Sequence, residues 1–107
     1  MKDINRPIKV ARALKKEISI ILHRDIRDPR IEKFITVTMV EISKDLVHAK
    51  IFIMFLNNVS YNENIFKKLK ILQNAAGYIR TLLSKSMCLR KIPQLTFYYD
   101  KLITEIV

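Results

Sequence analysis

The sequence has one glycine, one cysteine and no tryptophan among its 107 residues. A single glycine excludes the glycine-rich loops that cradle phosphates in nucleotide-binding proteins. A single cysteine, Cys88, excludes an internal disulfide and a metal site built from cysteines. The longest apolar run, 51–56, is six residues long, far below the ~20 of a membrane-spanning helix, and the N-terminus lacks the apolar stretch of a signal peptide. These features predict a soluble cytoplasmic protein.

Acidic residues are scarce as well, because ten Asp and Glu accompany twenty Lys and Arg, a formal net charge of +10. Such an excess favours a polyanionic partner, first of all nucleic acid and less often an anionic membrane surface. Lysine enrichment in an AT-rich genome is the alternative explanation. The placement of the basic residues favours nucleic-acid binding over compositional drift.

Apolar residues at helical spacing predict a first helix that Asn5 caps and that ends before Pro29. One face of this helix is apolar and is predicted to pack against the core, whereas the opposite face is polar. The apolar face comprises Val10, Ala11, Leu14, Ile18, Ile21 and Leu22, and the polar face comprises Lys9, Arg12, Lys16 and His23.

Two β-rich runs, 35–42 and 47–56, flank the short polar stretch S-K-D-L and predict an antiparallel hairpin. The outer half of the second run is apolar on both faces, which predicts a well-covered strand and not a bare edge. The alternating run 95–99 predicts a last strand. The connection from the second strand to the last is long enough for a crossover, so the last strand can lie parallel to one of the others.

The only glycine, Gly77, lies inside a long helical pattern, where glycine costs roughly 1 kcal/mol relative to alanine. An apolar stripe precedes Gly77 and another follows it as far as Arg90, rotated by roughly 70° on an ideal helix. A bend at Ala75, Ala76 and Gly77 brings both stripes to the core. Gly77→Ala should then be nearly neutral if the glycine has helical angles and destabilising if its φ is positive. The stripes comprise Ile65, Leu69, Leu72 and Ala76, and then Ile79, Leu82, Leu83 and Leu89.

Nothing in the sequence favours catalysis. His23 and His48 fall in different elements without a nucleophile signature, no acidic cluster has metal-ligand spacing, and Cys88 is interpreted as a partly exposed structural residue. The chain is therefore predicted to be a non-enzyme without metal or cofactor.

Basic residues are distributed along several elements and together predict a surface that contacts several phosphates. Arg24 and Lys33 flank the proline turn and extend this set. Phe97, Tyr98 and Tyr99 can stack bases, although the inward ones are expected in the core. The candidate RNA-binding residues are Lys9, Arg12, Lys16, Arg27, Arg30, Arg80, Lys85, Arg90 and Lys91.

Several motifs spread over the chain carry a resemblance to a known family. They are V-A-R-A-L-K-K-E-I at 10–18, R-D-I-R-D-P-R at 24–30, S-K-D-L-V-H-A-K-I at 43–51, A-A-G-Y-I-R at 75–80 and L-R-K-I-P-Q-L-T-F-Y-Y-D at 89–100. With these motifs the chain resembles the ribosome-binding factor A (RbfA) family of small bacterial proteins. The combination of D-P-R with P-x-L-x-F-x-x-D is the most specific part of the likeness.

The resemblance implies an α+β, KH-like fold of the type II variant, in the order helix-strand-strand-helix-kink-helix-strand. Helices would cover one face of a three-stranded sheet, as the periodicities also indicate. The family replaces the Gly-x-x-Gly loop of ordinary KH domains with an Ala-x-Gly kink, which 75–77 match. Residues 1–107 are expected to form a single domain with little or no C-terminal tail, so any function of the tail that many relatives carry would be absent.

The resemblance also implies a function. The protein would bind the free 30S subunit near the 5′ region of 16S ribosomal RNA, assist late RNA processing and subunit maturation, and leave before translation. It is expected to be a monomer off the ribosome, without membrane association. The alternatives are a general single-stranded nucleic-acid-binding module, a protein–protein adaptor whose charge serves solubility, and, most remotely, an enzyme.

Overall fold

A computed structural model describes residues 6–24, 35–55 and 63–100 of the chain. The predicted order of elements is confirmed, and the fold is α+β and KH-like. Predictions for Asn5, Pro29, Arg27 and Arg30 and for the chain after Asp100 lie outside the described residues. The elements are α1 (Arg6–Arg24), β1 (Ile35–Ile42), β2 (His48–Phe55), α2 (Glu63–Asn74), α3 (Ala76–Ser86) and β3 (Gln94–Tyr99).

The sheet has the order β1-β2-β3, with β2 at its centre. β1 and β2 form the predicted antiparallel hairpin, and β3 runs parallel to β2 after the crossover. The central position confirms that β2 is not a bare edge strand, because it has a paired neighbour on each side. A β-bulge between Val37 and Met39 shifts the register in β1, and Leu46 in the hairpin turn has a positive φ of 62°.

One hydrophobic core joins the inward face of the sheet to the helices. Five of the six residues predicted on the apolar face of α1 are buried, and Ala11 packs against the core. Leu72, Ile79 and Leu83 have no exposed surface, so both apolar stripes of the long helical pattern reach the core. The stripe phase therefore predicted the bend correctly.

The bend itself lies at Ala75, between α2 and α3. The Ala75 N–H donates to the carbonyls of both Ile71 and Leu72, at 3.1 and 3.0 Å, which ends α2. The Ala75 carbonyl then accepts from the Ile79 N–H at 2.9 Å and starts α3. Gly77 follows in the first turn of α3 without a positive φ. Ala75 therefore forms the joint, and Gly77 is an ordinary helical residue beside it.

α3 ends at Ser86, so the predicted extension to Arg90 is wrong. Met87 is extended, with φ −117° and ψ 139°, and its N–H donates to Leu83 O. Ser84 Oγ and Ser86 Oγ donate to backbone carbonyls three residues back, and such bonds compete with the helical ladder. Residues 87–93, which we call the exit loop, lead into β3. Cys88 and Leu89 lie on this loop and not on the helix.

Candidate nucleic-acid interface

The solvent face of α1 is basic, as the periodicity predicts. Lys9, Arg12 and Lys16 are exposed on it, because the opposite face of the helix is held in the core. His23 and Arg24 lie in the last turn, where the positive charge of Arg24 complements the negative end of the helix dipole.

A second set of basic side chains lies on α3 and the exit loop. Lys85 is exposed near the end of α3, and Arg90 and Lys91 are exposed on the exit loop. Met87 and Leu89 of the same loop pack against the core. The loop is thereby held to the body of the protein with its two basic residues outside.

Three adjoining cavities join these two sets into one groove, which we call the α1–α3 groove. Their volumes are about 170, 380 and 250 Å³ in order along α1. The first two share Val10 and Leu89, and the last two share Glu17 and Ser86. Five of the predicted RNA-binding residues line the groove, namely Lys9, Lys16, Lys85, Arg90 and Lys91.

Two further arginines line the groove, one at each end of α1. Arg6 lies beside Arg90 and Lys91, and Arg24 lies beside Lys85. Arg6 is not among the RNA-binding residues predicted from the sequence, although residues 6, 9, 16 and 24 fall near one helical face at 100° per residue. That shared face is the signal that could have identified it.

Two acidic residues, Glu17 and Asp45, also line the groove. Asp45 belongs to the hairpin turn, where its Oδ1 accepts hydrogen bonds from Ser43 Oγ at 2.6 Å and from the Val47 N–H at 3.1 Å. These bonds, that from Ser43 first, lower the pKa of Asp45, with a further contribution from nearby His48. The Asp45 charge is therefore used locally to hold the turn.

Two of the predicted residues lie elsewhere. Arg12 is exposed on α1 but does not line the three cavities. Arg80 is half-buried in α3, and its Nη2 donates to the Ile92 carbonyl at 3.0 Å. Its Nε is buried without a hydrogen-bond partner. Arg80 thus connects α3 to the end of the exit loop and helps to hold the basic part of that loop in place.

The aromatic residues of β3 alternate between the two faces of the sheet. Phe97 is buried in the core, as expected for an inward residue. Tyr98 is 40% exposed on the outer face, where its ring stacks on Phe52 with centroids 5.5 Å apart. Lys50 Nζ lies 6.0 Å from the centroid of the Tyr98 ring. This pair faces away from the helices and from the α1–α3 groove.

Within residues 6–24, 35–55 and 63–100, no group of three or more His, Cys, Asp or Glu residues is arranged to hold a metal ion. The same part of the chain has no helix that is both long and apolar enough to cross a membrane. His23 has a structural role, because its Nε2 donates to the Ile35 carbonyl at 2.8 Å and ties the end of α1 to β1.

The fold and the groove together define a class of protein, a small KH-like domain with a basic helical surface. Comparison with known proteins identifies the family. The family model described as "Ribosome-binding factor A" matches residues 6–107. The chain belongs to the ribosome-binding factor A family.

Solved structures agree with this assignment. A solution NMR structure of a Thermotoga maritima protein, proposed to be a ribosome binding factor A, is 30% identical, with a TM-score of 0.74 over 92% of this chain and 90% of that one. A crystal structure of ribosome-binding factor A from Thermus thermophilus is 20% identical, with a TM-score of 0.72 over 87% and 94% of the two chains. A homology model of the Thermus thermophilus factor, fitted into a cryo-EM map of a 30S–RbfA complex, is 21% identical, with a TM-score of 0.68 over 85% and 91%. The two Thermus structures share the fold.

Proposed function

We propose that this protein is a non-catalytic ribosome assembly factor. It binds the free 30S subunit near the 5′ region of 16S ribosomal RNA, assists late RNA processing and subunit maturation, and leaves before translation. It acts in the cytoplasm as a single-domain monomer, without a cofactor. The family assignment supports this proposal, as does the cryo-EM map of a 30S–RbfA complex into which a homology model of the Thermus thermophilus factor has been fitted.

The observation that carries the proposal is the concentration of basic side chains around the α1–α3 groove. Five predicted RNA-binding residues from α1, α3 and the exit loop line this one groove, and Arg6 and Arg24 extend the set to both ends of α1. Cations held along one surface displace the counterions of several phosphates at once, which makes binding tight and salt-dependent.

The proposal is tested with a charge-matched pair of double variants. Lys16→Gln with Arg90→Gln removes two charges from the groove, whereas Lys15→Gln with Lys44→Gln removes two exposed charges outside it. We expect the wild-type protein and the Lys15/Lys44 variant to cosediment with free small subunits and to be depleted from assembled ribosomes. The Lys16/Arg90 variant should bind weakly, with a salt slope lower by about one to two units.

Two outcomes would contradict the proposal. Equal occupancy of free subunits and translating ribosomes would exclude an assembly factor that leaves before translation. The second outcome is that naked RNA of arbitrary sequence displaces the protein from subunits at a similar concentration of binding sites. This result would favour the general single-stranded nucleic-acid-binding module instead.

A further inference from the structure

The α1–α3 groove combines basic edges with an apolar floor. Val10, Ala13, Met87 and Leu89 line its middle, and Ile20 and Leu82 line the end near Arg24. Ile20 is 37% exposed, and Met87 and Leu89 are half-buried. Contact with phosphates alone would not use this apolar surface, because phosphate oxygens are bound by cations and N–H groups.

The form of the RNA decides whether the floor can be used. In a duplex the flat faces of the bases are stacked on each other, and only groove edges, sugars and phosphates are presented to a protein. A single strand can turn its bases out and place their apolar faces on the protein. A groove with an apolar floor between basic edges therefore complements both the bases and the phosphates of a single strand. It complements only the phosphates of a duplex.

The dimensions of the groove agree with a short single strand. α1 borders it from Arg6 to Arg24, a distance of about 27 Å at 1.5 Å per residue. Single-stranded sites that hold four or more nucleotides are common in small RNA-binding domains. Basic residues occur along this whole length, so phosphates can be neutralised at several points and not only at one end.

We propose that the α1–α3 groove binds a single-stranded segment of RNA, with bases against the apolar floor and phosphates at the basic edges. This inference rests on the proposed function and specifies the form of RNA that the groove takes. It separates two contributions to affinity. The basic edges provide the salt-dependent part, and the floor provides a part that salt leaves unchanged.

The test compares Ile20→Gln with Ile8→Gln. Both change an exposed isoleucine of α1 to a polar residue of similar length without altering charge, but Ile20 lines the groove and Ile8, 55% exposed, does not. Fluorescence anisotropy with a labelled, unstructured 12-nucleotide RNA and with the same strand annealed to its complement gives affinities across a salt series. A circular dichroism melt confirms that each variant is folded.

We expect the single strand to bind at least about tenfold more tightly than the duplex. Ile20→Gln should weaken single-strand binding by about three- to tenfold with an unchanged salt slope, and Ile8→Gln should have no effect. Equal affinity for the two RNA forms, or equal behaviour of the two variants, would overturn the inference. An acidic 12-residue peptide that displaced the RNA at equal or lower concentration would also overturn it, since the groove would then suit a protein segment.

The same assay separates this inference from the proposed function. If Ile20→Gln has no effect while Lys16→Gln with Arg90→Gln still weakens subunit binding, the groove contacts the RNA through charge alone. If that double variant has no effect on subunits either, the interface proposed for the assembly factor lies elsewhere.

Discussion

Gln73 completes the edge of the sheet and provides the sharpest test of the fold. From α2, its Nε2 donates to the Leu95 carbonyl at 2.9 Å, and its Oε1 accepts from the Phe97 N–H at 3.0 Å. The amide thus pairs with β3 as the backbone of a further strand would. Leu95 and Phe97 are only 3% and 6% exposed, and both hydrogen bonds are partly buried.

Gln73→Ala should lower the free energy of unfolding by about 1–2 kcal/mol. Each hydrogen bond contributes about 0.5–1.5 kcal/mol net. The higher helix propensity of alanine offsets a few tenths of a kcal/mol of this loss. The loss should fall short of the full cost of two buried unpaired groups, because the Gln73 side chain is itself exposed and water can enter its place. A shift of about 4–10 °C in Tm corresponds to this loss for a domain of this size.

Thermal melts of Gln73→Ala and of Asn74→Ala, the exposed neighbour on α2, provide the comparison. Amide hydrogen exchange adds a local readout, since the Phe97 N–H should exchange faster in the Gln73 variant. If the two variants have the same Tm and the exchange rate of the Phe97 N–H is unchanged, the Gln73 side chain does not pair with β3.

Two further predictions concern Gly77 and Asp45. A Cβ added at Gly77 would meet nothing within 4 Å, and the φ of Gly77 is not positive. Gly77→Ala should therefore be neutral or stabilise the protein by up to about 1 kcal/mol in denaturant melts. A loss of stability would refute the helical conformation of Gly77. Hydrogen bonds lower the pKa of Asp45 from 3.8, so its ionised form stabilises the hairpin above that value, and the contribution is lost as pH falls through the lowered pKa. Asp45→Asn should therefore be less stable at pH 7, with a difference that narrows below about pH 4 in melts across pH; a constant difference would contradict this.

The sequence predicted most of the fold because local patterns and tertiary packing agree. The spacing of Leu14 and Ile18 already matches a helix that packs on one face, and the two-sided apolar pattern in the outer half of β2 is typical of a well-covered strand. The rotation between the stripes before and after Gly77 required a bend, because a straight helix would leave one stripe in water. The residue at the joint was harder to identify, since Ala75 has no special preference for a break and glycine does.

The groove could not be derived in the same way, because it depends on where α3 ends. A helix continued to Arg90 would have placed Leu89 on a helical stripe and Cys88 on its polar side. Serine hydroxyls near the end of α3 instead bond to backbone carbonyls, and Met87 becomes extended. The exit loop then lies against α1, with Met87, Cys88 and Leu89 beside Val10 and Ala13.

This early end of α3 has a consequence for the charge of the surface. Because the exit loop passes along α1, Arg90 and Lys91 lie beside Arg6, far from them in sequence, and line the same groove. The hydrogen bond from Arg80 to the Ile92 carbonyl holds the end of this loop to α3. One loop therefore brings together charges that are scattered in the sequence. The packing of Met87 and Leu89 against the core and the hydrogen bond from Arg80 hold that loop in place.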